Sequence, residues 1–304
     1  MRIQTFSVVV GTRACNARCP FCVSRMTGFD VLPKSRGIDE RNLRKAIAAA
    51  RLGGTTTVLM TGKGEPTLYP HEITRYLELL GDTFPFIELQ TNALEIGRLV
   101  RDGRSRVPGL TEETLSGWYA NGLDMVAVSV VDVRGKANQE VYHPDYPDLA
   151  ATVAYLHRLG FSVRLCVMMQ RGAVDTPQRV AEVVRWCREH DVDQLTVRPI
   201  RRPSSTQSDA ASEYVGERGL TEPEIAAIEA WIDERGTQLL TLLHGARIFD
   251  VDGQNLCLAD CLTVEADSDD IRTLIYYGDG RITYDWQYPG AILLGAHAPG
   301  GLAD

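Results

Sequence analysis

The sequence predicts an α/β fold: a parallel sheet with helices outside it, curling into a barrel or part of one, and then a small C-terminal α+β appendage. Three observations predict it. Through the first two thirds of the 304 residues, β-branched apolar runs alternate with amphipathic helical patterns. Caps, glycines and a proline punctuate those patterns where helices should start and stop. The alternation then breaks at a polar stretch, 201–219, and short β-like pieces follow.

The elements follow in order. "TFSVVV" (5–10) reads as a buried strand, and 39–52 as an amphipathic helix capped by Asp39. Strand "TTVLM" (56–60) leads to helix "PHEITRYLELL", and strand "FIELQ" (86–90) to a helix over 111–122 that Gly122 ends. Strand "DMVAVSVV" (124–131) precedes a helix ended by Gly160. Strand "FSVRLCVMM" (161–169) precedes a helix with Pro177 in its first turn, and "QLTVRPI" (194–200) is the sixth strand. Beyond the loop, "TEPEIAAIEAWIDERG" is a helix with Thr221 and Glu224 in capping-box spacing. "IRTLIYYGDGRITYDW" reads as a hairpin around Gly278-Asp279-Gly280. The domains expected are 1–205, the barrel, and 206–304, an appendage capping the substrate site.

Composition narrows the classes. Hydrophobic residues make up 44% and charged residues 24%, as in a globular chain with a sizeable core. Neither a membrane span nor a signal peptide is visible, so the expected location is cytoplasmic. The net charge of -8 argues against nucleic acid or an anionic membrane as partner. The acid is uneven: residues 241–290 hold nine acidic residues against three arginines, a net -6. Such a run is either a solvated face or a site for a cationic substrate.

Seven cysteines, an odd number, do not read as a disulfide framework in a reducing compartment. Three of them, Cys15, Cys19 and Cys22, crowd into "RACNARCPFCVSRM" (13–26) after the first strand. They can converge only if the backbone wraps a central object. Zinc usually takes a fourth ligand, and the first histidine is His71. A 4Fe–4S cluster held by three thiolates keeps one iron open to substrate. The loop's place is the C-terminal mouth of the sheet, where barrel chemistry sits.

These residues resemble the radical S-adenosylmethionine (SAM) superfamily, whose signature is Cys-x3-Cys-x2-Cys after the first strand of a partial (β/α)6 TIM-type barrel. Phe21 matches the aromatic residue usual before the last cysteine. "TGKGEPTLYP" (61–70) looks like the family's Gly-Gly-Glu-Pro motif: Gly62, Gly64, Glu65 and Pro66 fit, with Lys63 between the glycines. The resemblance covers about 1–205. It implies a 4Fe–4S cluster on the three cysteines, SAM on the open iron, and a 5′-deoxyadenosyl radical that abstracts hydrogen. It also implies that Gly62, Gly64, Glu65 and Pro66 meet the SAM ammonium, with Phe21 near the adenine. Further SAM contacts are expected from strand ends: Thr91, Asn92, Ser129, Arg164 and Met168. Arg164 can serve the SAM carboxylate or a structural salt bridge. Arg198 faces substrate or SAM. An external electron donor such as flavodoxin or ferredoxin is expected.

The fate of the substrate radical turns on Cys257 and Cys261. They read as packing residues, as ligands of an auxiliary cluster, or as a hydrogen donor that quenches a carbon radical from the opposite face. The donor reading, with the acidic run, is similar to the radical SAM epimerases of aminoglycoside biosynthesis and implies a cationic aminosugar substrate. The competing readings are a radical SAM dehydrogenase or dehydratase, or a peptide-modifying enzyme. Peptide modifiers often carry an N-terminal leader-binding module, and the first strand starts too near Met1 for one to be expected.

Overall fold

A computed structural model describes residues 1–26, 37–203, 206–242, 245–259 and 270–296. The strands are β1 (Ile3–Val9), β2 (Thr57–Thr61), β3 (Phe86–Thr91), β4 (Met125–Val130), β5 (Ser162–Met169), β6 (Gln194–Pro199), β7 (Thr237–Thr241), β8 (Arg247–Val251), β9 (Gln254–Leu258), β10 (Ile271–Tyr277), β11 (Ile282–Thr283) and β12 (Ile292–Leu294). The helices are α1 (Val23–Met26), α2 (Glu40–Leu52), α3 (Pro70–Leu80), α4 (Leu94–Asp102), α5 (Glu112–Ala120), α6 (Gly135–Val141), α7 (Leu149–Arg158), α8 (Pro177–Glu189), α9 (Asp209–Arg218) and α10 (Glu222–Arg235).

All form one sheet in the order β12-β11-β10-β1-β2-β3-β4-β5-β6-β9-β8-β7. The run from β10 to β9 is parallel throughout, and its outer pairs are antiparallel. This is a partial barrel with helices on its convex side. Alternation sorts the faces. Phe6 and Val8, Val126 and Val128, and Leu165 and Val167 are fully buried toward the helices. Ser7, Ser129, Arg164, Cys166 and Thr196 occupy the alternate positions, which line the concave side.

The six strands of the alternating region stand where the sequence puts them. So do the Asp39 cap, the Thr221–Glu224 capping box and the β10–β11 hairpin. The C-terminal strands divide between the two flanks of the sheet: β9 lies parallel to β6, and β10 parallel to β1. The stretch 201–219, read as loop, carries α9, whose first turn is capped by the Ser208 hydroxyl. Helices α4 and α6 also lie where none was expected. Ala93 enters α4 in a left-handed conformation (φ 58°) and gives no side-chain cap. α6, "GKANQEV", has almost no apolar periodicity to read.

Candidate functional site

The cysteine loop is built at the C-terminal end of β1. Val10 N–H donates to Thr61 O at 2.7 Å, prolonging the β1–β2 ladder. Gly11 then turns the chain at φ 70°, and a Cβ there would stand 2.1 Å from the Tyr69 ring. The Gly-Lys-Gly-Glu-Pro loop after β2 knits to this turn. Glu65 N–H donates to Ala14 O at 3.0 Å, and a Cβ on Gly64 would meet the same oxygen at 2.1 Å. Only glycine fits that crossing. A Cβ on Gly62 would lie 3.1 Å from Val10 O. Pro66 opens a 3-10 turn behind it.

Cys15 is exposed, and Cys19 and Cys22 are half-buried. Burial pushes the Cys15 and Cys19 thiols up, and each is raised further by the charge of Cys22. As thiolates the three repel one another, so they need a shared cationic partner. Among the described residues, no three His, Cys, Asp or Glu side chains converge on a single metal ion. Three thiolates on one zinc would each lie about 2.3 Å from it. Thiolates on separate corners of an iron–sulfur cube stand farther apart, and three of them leave one iron to another ligand. The donor set fits a 4Fe–4S cluster.

Glu65, Thr91 and Asn92 come together behind the loop. Glu65 is fully buried, and burial pushes its carboxyl up, against the pull of its hydrogen bonds. Its carboxylate accepts from Thr91 Oγ1 at 2.6 Å, Asn92 N–H at 2.9 Å, and the Thr67 hydroxyl and N–H at 2.7 and 3.0 Å. Asn92 Nδ2 donates to Asn16 Oδ1 at 2.9 Å and lies 3.8 Å from Cys15 Sγ. Asn16 in turn donates to Glu95 on α4, which pairs with buried Arg98.

The remaining expected residues divide. Phe21 is buried, its ring 6.2 Å from Tyr142 and 6.3 Å from Tyr214, so its packing is already aromatic on two sides. Arg164 pairs with Glu88 on β3, which also accepts from Gln90 at 3.1 Å; the carboxylate facing Arg164 is the chain's own. Ser129 lies at the register level of Cys166, and Met168 at that of Arg198. Tyr146 OH donates to Ser129 O at 3.0 Å.

Cys257 sits on β9 beside Thr196, which hydrogen-bonds its thiol. Arg164, Arg198 and Cys166 are the other groups whose charge it feels. Burial pushes this thiol up despite the two arginines. Tyr142 is near enough to feel the charges of Cys19, Cys166 and Arg198. Cys261 lies outside the described residues. The described acids of 241–290 do not gather: Asp252 pairs with Arg235, Asp270 with Arg2, and Asp279 with Arg281. Asp260, Glu265, Asp267 and Asp269 lie outside the described residues.

Several residues of the site escaped the sequence reading. Lys63 is buried with its Nζ 5.1 Å from the Trp286 ring centroid. Burial, then the charge of Arg13, lowers its pKa to about 8. Tyr142, Tyr146 and Cys166 had no motif to mark them. The aromatic stretch "VYHPDYP" was the available signal.

Residues 9–187 match the family described as the radical SAM superfamily. The chain belongs to the radical SAM superfamily. Similar solved structures include SuiB of Streptococcus suis bound to S-adenosylmethionine (TM-score 0.54, 16% identity), over 92% of this chain and 60% of that one. A radical SAM methyltransferase from Sphaerobacter thermophilus matches with a TM-score of 0.51 and 16% identity, over 84% of this chain and 66% of that one. HydG, a maturase of the [FeFe]-hydrogenase, matches with a TM-score of 0.51 and 12% identity, over 76% of this chain and 49% of that one. The radical SAM chain thus spans about 60% of the length of SuiB. These likenesses show the fold. No curated protein matches.

As a radical SAM enzyme, the protein uses a 4Fe–4S cluster and SAM. When bound, that pair supplies a reductively generated 5′-deoxyadenosyl radical. The chain's own part is visible in the geometry. Gly64 lets two loops cross, Glu65 locks the ends of β2 and β3, and Phe21 of the cysteine loop packs edge-on against Tyr142. No described helix is long and apolar enough to cross a membrane.

Proposed function

We propose that Cys15, Cys19 and Cys22 hold the cluster and that Gly62, Gly64, Glu65, Pro66, Thr91, Asn92, Ser129, Arg164 and Met168 border the SAM site, with Phe21 backing it. On this footing the enzyme inverts a stereocentre of a small polyhydroxylated substrate. The SAM-derived radical removes a hydrogen atom from one face, and Cys257 returns one from the other. One substrate C–H bond and one S–H bond break, and two C–H bonds form, one on 5′-deoxyadenosine and one on the inverted carbon, leaving a thiyl radical that an external one-electron donor and a proton restore to thiol.

The observation that carries this reading is Cys257 itself. It lies on a strand of the barrel, at a concave-face position, with its thiol beside Thr196 and between two arginines. Burial keeps it in the S–H form that hydrogen donation requires. The substrate class is a cationic aminosugar. Its support is the sequence alone: Asp260, Glu265, Asp267 and Asp269 follow Cys257 within twelve residues, whereas Asp252, Asp270 and Asp279 are engaged by the chain's own arginines. Arg164, paired with Glu88, and Arg198 offer hydrogen-bonding groups near the thiol.

The test is a turnover experiment in heavy water with an aminoglycoside. One deuterium is expected at the inverted carbon. Cys257→Ala should still form 5′-deoxyadenosine yet yield no inverted product, and Cys15→Ala should lose both iron and SAM cleavage. Inversion by Cys257→Ala at the wild-type rate would sink the donor assignment. A second reading is peptide modification, favoured by the likeness to SuiB, which has also been solved bound to its precursor peptide SuiA (TM-score 0.52, 15% identity). A dehydrogenase or dehydratase is the third. In ordinary water the product mass separates the small-molecule readings: inversion leaves it unchanged, dehydrogenation removes two hydrogens, and dehydration removes water.

A further inference from the structure

Tyr142 is 3% exposed, and its hydroxyl is buried with no hydrogen-bond partner among the described residues. A native chain leaves few such groups unmet, and each is costly until something meets it. The residue itself is firmly held. Its backbone O accepts from Arg18 N–H at 2.9 Å, and its ring packs edge-on against Phe21 at 6.2 Å and tilted against Tyr146 at 5.5 Å. Tyr146 offers the contrast: its hydroxyl donates to Ser129 O at 3.0 Å. One tyrosine of the pair is satisfied by the fold and the other is not.

The bond from Tyr146 fixes the pair at the C-terminal end of β4. From there Ser129, Cys166, Thr196 and Cys257 stand at one register level across β4, β5, β6 and β9, in a row over the concave face. The Tyr142 ring also touches the cysteine loop, through Phe21. Its hydroxyl feels Cys19 of that loop and, across the chamber, Cys166 and Arg198. Tyr142 therefore borders both the loop and the row that ends at Cys257. A second unmet donor lies close by. Arg164 Nε–H is buried without a partner, although the guanidinium pairs with Glu88 through Nη2. Arg164 shares a strand face with Cys166 and feels its charge. An arginine N–H can only donate, so a group that meets it must be an acceptor.

We propose that Tyr142 is a substrate-binding residue whose hydroxyl donates to an oxygen on or next to the carbon that is inverted. The inference rests on the proposed inversion by Cys257. Inversion needs one carbon open to the radical made at the cysteine loop and, from its other face, to the Cys257 thiol. The substrate must then lie between loop and thiol, the interval that Tyr142 borders. Arg164 and Arg198 repel ammonium groups from this part of the chamber. An aminosugar would therefore turn a hydroxyl-bearing part of its ring toward Tyr142 and keep its ammonium groups away. A hydroxyl unmet in the free protein and met on binding also gives selectivity, since a substrate lacking that oxygen leaves the donor unpaired.

The test is Tyr142→Phe, which removes only the oxygen, in the full-length, cluster-loaded protein without air. In the absence of SAM and substrate it should melt at the wild-type temperature or above, since no bond is lost. Tyr146→Phe should melt about 2 °C lower, for loss of its bond to Ser129. With SAM present, titration calorimetry should show neomycin binding about tenfold more weakly to Tyr142→Phe than to wild type. SAM itself should bind both equally. A melting temperature lowered as in Tyr146→Phe would overturn the proposal, because the hydroxyl would then be bonded within the chain. So would wild-type affinity for neomycin, or a loss of affinity for SAM alone, which would assign the hydroxyl to SAM. None of these measurements needs turnover. A Cys257→Ala variant that still inverts therefore sinks the donor assignment separately, whatever Tyr142→Phe binds. Wild-type protein that does not bind neomycin would sink the aminosugar class, and the melting and SAM measurements would then decide for Tyr142 by themselves.

Discussion

Lys63 occupies the middle of a glycine-rich turn, and its burial makes it the most exposed to pH of the site's cations. Desolvation, then repulsion from Arg13, brings its pKa from 10.5 to about 8, while Cys22 pulls the other way. Between about pH 8 and 10.5 the unfolded chain therefore binds more protons at this residue than the folded one. Its contribution to stability rises across that window as pH rises, and is lost as pH falls through about 8. Lys63→Met should gain about 3 kcal/mol on the wild type at pH 7 without cluster, and the gain should vanish above pH 10.5. Urea unfolding of both proteins across the range reads this directly; parallel curves would contradict it. The three cysteines proposed to hold the cluster are legible because their spacing is local. The surroundings of Cys257 were not, since Thr196, Arg164 and Cys166 reach it from two other strands. Cys257 was visible as a candidate, but its partners were not.

At the scale of elements, α4 decides how firmly the cysteine loop is held. Burial pushes the Glu95 carboxyl up, but hydrogen bonds from the Ser105 hydroxyl and Arg106 N–H, with the charge of Arg98 and a bond from Asn16, bring it below its ordinary value. The carboxylate thus stabilises the fold above about pH 4.5, and that stabilisation is lost as pH falls further. Glu95→Gln leaves buried Arg98 with only the longer contact to Asp145, at 3.9 Å, and should cost about 3 kcal/mol. It should also lower iron content on reconstitution, because Asn16 loses its anchor; full iron occupancy with unchanged urea midpoint would refute this. The capped helices α2 and α10 could be read from sequence because Asp39 and Thr221 announce them. The helix that braces the loop could not, because its entry through left-handed Ala93 is set by tertiary contacts. α9 was hidden for a similar reason: Ala211 and Val215 are its buried apolar residues, too few to show a helical period.

For the whole molecule, the alternation of strands and helices made the parallel sheet legible, but not its width. The C-terminal quarter looked like an addition because its strands are short and its turns polar. Nothing local tells a strand at 271–277 that its partner is at 3–9; that pairing follows from which sheet edge is left open. Residues 206–296 supply the strands that flank both β1 and β6. A chain cut at 205 would expose two long parallel edges at once. It should aggregate or lack near-ultraviolet circular dichroism, and a folded, monomeric 1–205 fragment would show that the barrel stands without its flanks. The placement of β10 also orders events in time. Synthesis delivers β1 first, yet the strand from which the cysteine loop hangs keeps one side bare until residue 277 has been made. The first strand to leave the ribosome is thus flanked on both sides only when residue 277 has followed it.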